Sequence, residues 1–85
     1  MKLDALKRAN RVIGIKQVTK AVKRSQAERV FLAADADPRV LEPLKELCHE
    51  QDVPVEEGAS MKEIGEACAI EVGAAAAAVL RSSIC

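Results

Sequence analysis

Leu3, Leu6, Ala9 and Ile13 recur at helical spacing with Lys2, Lys7, Arg8 and Arg11 between them, which predicts an amphipathic helix at the start of the chain. The pattern breaks around Gly14, leaving room for at most a short strand over 13–16. A second helix follows, with Val18, Ala21 and Val22 set among Lys16, Lys20, Lys23 and Arg24, and it ends at Arg24-Ser25-Gln26. Residues 30–34, Val-Phe-Leu-Ala-Ala, are a continuous apolar run bounded by polar residues, the mark of a strand over 29–34 covered on both faces. Asp37-Pro38 then opens a helix, since aspartate caps an N-terminus well and proline suits the first helical position. Val40, Leu41, Leu44, Leu47 and Cys48 form its apolar stripe, which runs to Gln51.

Val53-Pro54-Val55 is a short extended piece, read as a strand over 53–56. Ser60 and Glu63 have the spacing of a capping box, and Met61, Ile64, Ala67 and Cys68 give the following helix its buried face. Gly65 inside that helix costs about 1 kcal/mol relative to alanine, so close packing or a close ligand is expected there. Residues 74–80, Ala-Ala-Ala-Ala-Ala-Val-Leu, pull both ways. Intrinsic propensity favours helix, whereas the alternation of elements favours a strand over which helices could pack closely. With the strand, the order α-β-α-β-α-β-α-β describes an α/β fold: a three-layer α/β/α sandwich on a four-stranded mixed sheet, one domain spanning 1–85.

Composition narrows the function. The chain is 49 % hydrophobic and 31 % charged, which fits a folded globular protein and argues against a membrane class. An 85-residue chain buries about 60–65 % of its unfolded surface, so the core is modest. Phe31 is the only aromatic residue, which argues against an aromatic cage or rows of ring-stacked bases. The formal charge of zero hides a division. Residues 1–24 carry eight bases against Asp4, and residues 25–85 carry the other five against twelve acids. A neutral protein with so basic a first third can offer an anionic partner a localised patch. Cys48, Cys68 and Cys85 are odd in number and unpaired in spacing, with only His49 to join them, so neither a disulfide framework nor a zinc site is expected. No hydrophobic signal region or span-length apolar run is present. These features predict a cytoplasmic protein with no metal or cofactor and no membrane partner.

Four groups of residues invite chemistry. Gly14 permits close backbone approach at a helix N-terminus, which is itself an anion site, and Lys16, Gln17 and Lys20 project nearby with donors for phosphate or base edges. A solvated basic face on an ordinary amphipathic helix accounts for them about as well. Asp35-Ala36-Asp37 has the spacing of a magnesium-holding D-x-D, but such an enzyme needs further motifs, and Asp37 is better used as a helix cap with Asp35 a loop acid. Cys48-His49 is no thiol–imidazole dyad, because adjacent helical residues point apart. Ile70-Glu71-Val72 sits in a short loop, so its apolar side chains are either tucked into the core or offered to a partner; taken alone, the core is favoured.

In order along the chain, Gly14-Ile15-Lys16-Gln17-Val18-Thr19-Lys20, Ala33-Ala34-Asp35-Ala36-Asp37-Pro38, Leu47-Cys48-His49-Glu50 with Val53-Pro54, and Ser60-Met61-Lys62-Glu63-Ile64-Gly65-Glu66-Ala67-Cys68 resemble the kink-turn RNA-binding family of ribosomal proteins, the archaeal L-seven-Ae and L-thirty-e type, in a short bacterial-type member. The resemblance implies that 74–80 is a strand and that the protein is not an enzyme. It implies binding of structured RNA with a sharp bend, in which a three-nucleotide bulge abuts tandem sheared G·A pairs. The RNA could be ribosomal, a riboswitch or another RNA; no DNA partner is implied, and the protein is expected to act as a monomer. By the same resemblance, Gly14 and Ile15 bring backbone against the RNA, and Lys16, Gln17 and Lys20 meet guanines and phosphates. Ile70, Glu71 and Val72 pack on bulged nucleotides, and Asp37 touches an extruded base. Lys16 and Gln17 depart from the Asn and Glu of many members, and Ala69 replaces a frequent glycine. The competing class is a protein–protein docking module whose basic helix meets an acidic partner.

Overall fold

The computed structural model describes residues 10–81. Four strands, β1 (Arg11–Ile13), β2 (Ala27–Leu32), β3 (Val55–Glu56) and β4 (Ala76–Leu80), alternate with three helices, α1 (Ile15–Lys23), α2 (Pro38–Glu50) and α3 (Met61–Ala67). The sheet order is β1-β4-β2-β3. β4 runs antiparallel to both its neighbours and β3 pairs parallel with β2, so the sheet is mixed. The initial helix expected over Leu3, Leu6 and Ala9 lies outside the described residues, as does the Ser82–Cys85 tail; Arg11 and Ile13, read as its last turn, belong to β1.

The period of two along β2 and β4 splits the core. Val30, Leu32, Ala76 and Ala78 face α1 and α2, where they meet Val18, Val22, Leu41, Leu44 and Cys48. Phe31, Ala77 and Val79 face the other way, against Ile64, Ala67 and Cys68 of α3. This is the three-layer arrangement, and it explains why 74–80 is not a helix. β4 is a central strand with helices on both faces, and its fully buried alanines let both layers approach. Tertiary packing overrides the helical propensity of alanine.

Helix ends follow the expected chemistry. Asp37 accepts from the Arg39 amide at 2.9 Å to cap α2. Ser60 and Glu63 exchange both bonds of the capping box at α3. All three helices close with the paired Schellman bonds, and their left-handed residues are Ser25, Asp52 and Ala69, none of them glycine.

Several boundaries move. The strand expected over 13–16 ends at Ile13, because Gly14 turns the chain with φ 98 and ψ 152 and α1 starts at Ile15. Ile15 and Lys16 are therefore helical. The strands expected over 29–34, 53–56 and 74–80 are Ala27–Leu32, Val55–Glu56 and Ala76–Leu80. Val40, assigned to the buried stripe of α2, is 45 % exposed and lines a shallow groove with Ile15, Pro43 and Leu47 between α1 and α2.

Candidate functional site

The end of β1, the end of β2 and the start of β4 lie together, because Ile13 pairs with Ala77 and Leu32 with Ala76 in antiparallel register. Three segments with candidate residues leave the sheet at this one edge: the mouth of α1, the loop over Asp35–Asp37, and the loop that enters β4. Backbone bonds tie them. The Gly14 amide donates to the Ala76 carbonyl at 2.9 Å, and the Ala33 amide to that of Ala75 at 2.9 Å.

At the mouth of α1, Gly14 occupies a backbone region that is essentially closed to L side chains, while a Cβ placed there would meet nothing within 4 Å. Backbone geometry, not crowding, demands the glycine. No side chain caps this helix, in contrast to α2 and α3, and no acid lies in its first turn, where α3 carries Glu63. The outward amides of Ile15, Lys16 and Gln17 thus form an uncapped positive end. Lys16, Gln17 and Lys20 are exposed around it, and Ile15 is half-buried. Lys16, Lys20, Lys23 and Arg24 form no ion pair among the described residues. Lys16 opposes the helix dipole and sits one turn from Lys20, arrangements that each cost a few tenths of a kcal/mol or more without an anion nearby. The Thr19 hydroxyl donates to the Ile15 carbonyl at 2.7 Å and stays within the helix.

Asp35 and Asp37 have separate partners. The Asp35 carboxylate accepts from the Met61 amide at 2.8 Å, 26 residues away, and so caps α3 beside its capping box. It is more than the loop acid anticipated. Asp37 is exposed and chelated by its neighbour, with Arg39 Nη2 at 3.0 Å and Nε at 3.3 Å, and that guanidinium lowers the Asp37 pKa below the ordinary carboxylate value. Among the described residues, no group of three acids, histidines or cysteines could hold a metal ion.

The loop after α3 divides its side chains. Ile70 is half-buried and packs against the α3-side core. Glu71 is exposed and Val72 is 71 % exposed. The core reading thus holds for Ile70, and Val72 alone is an apolar side chain freely offered. Ala69, despite its Cβ, adopts φ 61. Gly65 is explained by packing: a Cβ there would lie 2.2 Å from the Val72 carbonyl oxygen, so the bare helix face lets the loop lie down on it. The loop and α3 enclose a concavity lined by Asp35, Met61, Lys62, Ile70, Glu71 and Val72. Lys62 is exposed on the first turn of α3, and its only signal in the sequence is its position between Ser60 and Glu63 of the capping box.

His49 is exposed on α2, whereas Cys48 and Cys68 are buried, which raises both thiol pKa values. No described helix is long and apolar enough to cross a membrane.

Residues 2–83 match the model of the ribosomal protein L7Ae/L30e/S12e/Gadd45 family. The chain is similar to the RNA-binding protein YbxF of Geobacillus stearothermophilus, 47 % identical over 70 residues that cover 82 % of this chain and 85 % of that protein. It is also similar to an RNA-binding protein of Bacillus pumilus, 44 % identical over 69 residues, 81 % of this chain and 84 % of the relative. Among solved structures it resembles the Giardia lamblia 15.5kD RNA binding protein, with a TM-score of 0.87, 30 % identity, and coverage of 96 % of this chain and 72 % of that one.

Proposed function

The chain belongs to the ribosomal protein L7Ae/L30e/S12e/Gadd45 family, and from that premise we propose that it is a non-catalytic RNA-binding protein of the cytoplasm that recognises kink-turns. The observation that carries this reading is the uncapped, acid-free mouth of α1, the one described helix start without a side-chain cap, opening at the same sheet edge as the loop that displays Val72. A phosphate there would bond to free amides and turn the unfavourable placement of Lys16 into a favourable one. Gly14 and Ile15 bring backbone to the RNA, and Lys16, Gln17 and Lys20 supply donors for guanine edges and phosphates. Val72, with Glu71 and the packed Ile70 beneath it, forms the platform for bulged nucleotides. Asp37 accepts from an extruded base through lone pairs that Arg39 leaves open.

Bending draws phosphates together, so a concentrated positive patch binds the bent form more tightly than the straight one and shifts the RNA towards it. The acids of the chain lie mostly elsewhere. Glu42, Glu46 and Glu50 recur at four-residue spacing along α2 and are exposed, a face that repels RNA and confines it to the mouth. The chain acts as a single-domain monomer within a ribosome or another ribonucleoprotein.

The test is a titration of an end-labelled kink-turn RNA, followed by energy transfer, beside a twin whose G·A pairs are replaced by Watson–Crick pairs. Tight binding with bending of the first RNA only is expected. Equal, weak and salt-sensitive binding of both would reduce the basic helix to a general electrostatic patch.

A further inference from the structure

Arg11 lies in β1, and its side chain shares the α3-facing side of the sheet with Ile13. Its Nη2 donates to the carbonyl oxygen of Cys68 at 2.8 Å, across 57 residues of sequence. Its Nε is buried and has no hydrogen-bond partner among the described residues. Leaving that buried nitrogen without a hydrogen bond carries a desolvation cost. Cys68 is the C-cap of α3, where the last carbonyls carry partial negative charge, so a cation is favourably placed there.

The carbonyl it holds belongs to the peptide between Cys68 and Ala69, and Ala69 is the residue at φ 61. An alanine gains nothing from its own preferences in that region and costs about 1–2 kcal/mol there. The turn must be fixed from outside. Backbone bonds from Ala69 to the Glu66 carbonyl and from Ile70 to that of Gly65, both 3.0 Å, close it from within α3. Arg11 fixes the same peptide plane from the sheet. Beyond the turn the chain buries Ile70, displays Val72 and lays the Val72 carbonyl on Gly65. Three residues after Arg11 in the other direction stands Gly14, at the mouth of α1. One side chain thus links the strand that feeds the first half of the candidate interface to the turn that launches the second.

We propose that Arg11 is a positioning residue for RNA recognition: its bond to the Cys68 carbonyl sets the Ala69–Val72 loop in the orientation that receives bulged nucleotides, without touching RNA itself. This rests on the kink-turn reading above. The experiment compares wild type, Arg11→Met and Arg11→Lys for affinity towards a bulged kink-turn RNA and the same RNA with the bulge deleted, together with hydrogen exchange at the Ala69 and Ile70 amides. Loss of a charge-assisted hydrogen bond predicts that Arg11→Met loses about tenfold of the preference for the bulged RNA and exchanges faster at Ile70. Affinity for the bulge-deleted RNA stays at the wild-type value, and Arg11→Lys, which keeps charge and a donor, recovers part of the preference. A wild type without preference would overturn the kink-turn reading and this proposal with it. A wild type with preference and a folded Arg11→Met that keeps it in full would overturn positioning alone. So would a parallel loss of affinity for both RNAs, or failure of both variants to fold, since Arg11 would then serve the fold as a whole.

Discussion

Gly65→Ala sets two measurable effects against each other. Alanine is the better helix former, so inside α3 the change gains about 1 kcal/mol from propensity. Against this, the new Cβ would stand 2.2 Å from the Val72 carbonyl oxygen, so that contact must open by about 0.8 Å to reach the 3.0 Å below which Cβ contacts are essentially never found. The oxygen belongs to backbone that cannot swing aside freely. Ile70 is bonded to the Gly65 carbonyl and Ala74 to that of Met61, both at 3.0 Å, so the loop is pinned on either side of Val72. Overpacking of this kind costs about 1–3 kcal/mol, which outweighs the propensity gain in most of that range. The expected result is a net destabilisation of about 1 kcal/mol, read as a fall of about 4–8 °C in Tm for a domain of this size. A larger loss of preference for bulged RNA should accompany it, because the displaced segment carries Val72. Gly58→Ala is the control: a Cβ there meets nothing within 4 Å, its φ lies outside the left-handed region, and stability should hold or rise slightly. Thermal melts followed by circular dichroism, with RNA titrations on the same samples, would decide. A rise in Tm for Gly65→Ala with unchanged RNA preference would refute the claim that loop contact, and not tolerance, keeps glycine at this position.

Gly14→Ala should cost about 1–3 kcal/mol by strain alone and weaken RNA binding, seen as a lower denaturation midpoint and a lower affinity in the same preparation. Ala69→Gly should stabilise the domain by about 1 kcal/mol in a guanidinium melt, since φ 61 is free for glycine. Lys20→Ala should lower affinity and reduce the slope of log affinity against log salt by about one phosphate contact, while stability in a denaturant melt changes by no more than about 0.5 kcal/mol. For Asp37, Arg39 lowers the folded pKa, so its stabilising contribution is present above the usual aspartate pKa and fades as pH falls through the lowered value. Acid titration of wild type against Asp37→Asn should therefore differ in stability at neutral pH and converge at the acid end.

The elements whose signals are local were legible in the sequence. Asp37-Pro38 and Ser60 with Glu63 act within one helical turn, and they cap α2 and α3 as their spacing indicates. The alternation of elements identified β4 against the pull of five alanines, because only a strand there completes the layers. What was not legible depended on partners distant in sequence or on one backbone angle. The start of α1 turns on φ 98 at Gly14, an angle with no signature in the hydrophobic pattern, which places Ile15 and Lys16 in a strand. The bond from Met61 to Asp35 and that from Arg11 to Cys68 have no local signature at all. Ile70 and Val72 look alike in sequence, and only the path of the loop over Gly65 decides that one is packed and the other displayed. The apolar stripe of α2 buries Leu41, Leu44 and Cys48 as its periodicity indicates, but Val40 falls just outside the arc that the sheet covers.

If the α1 mouth and the β4-entry loop form one RNA-binding face, both should respond when a kink-turn RNA is added to isotopically labelled protein and backbone amide chemical shifts are mapped. The largest changes are expected at Ile15, Lys16 and Gln17 and at Ile70 to Gly73, moving together with one affinity, while the acidic face of α2 at Glu42, Glu46 and Glu50 stays still. Changes centred on the groove between α1 and α2, or at Lys16 and Lys20 without any response in the loop, would contradict a shared face.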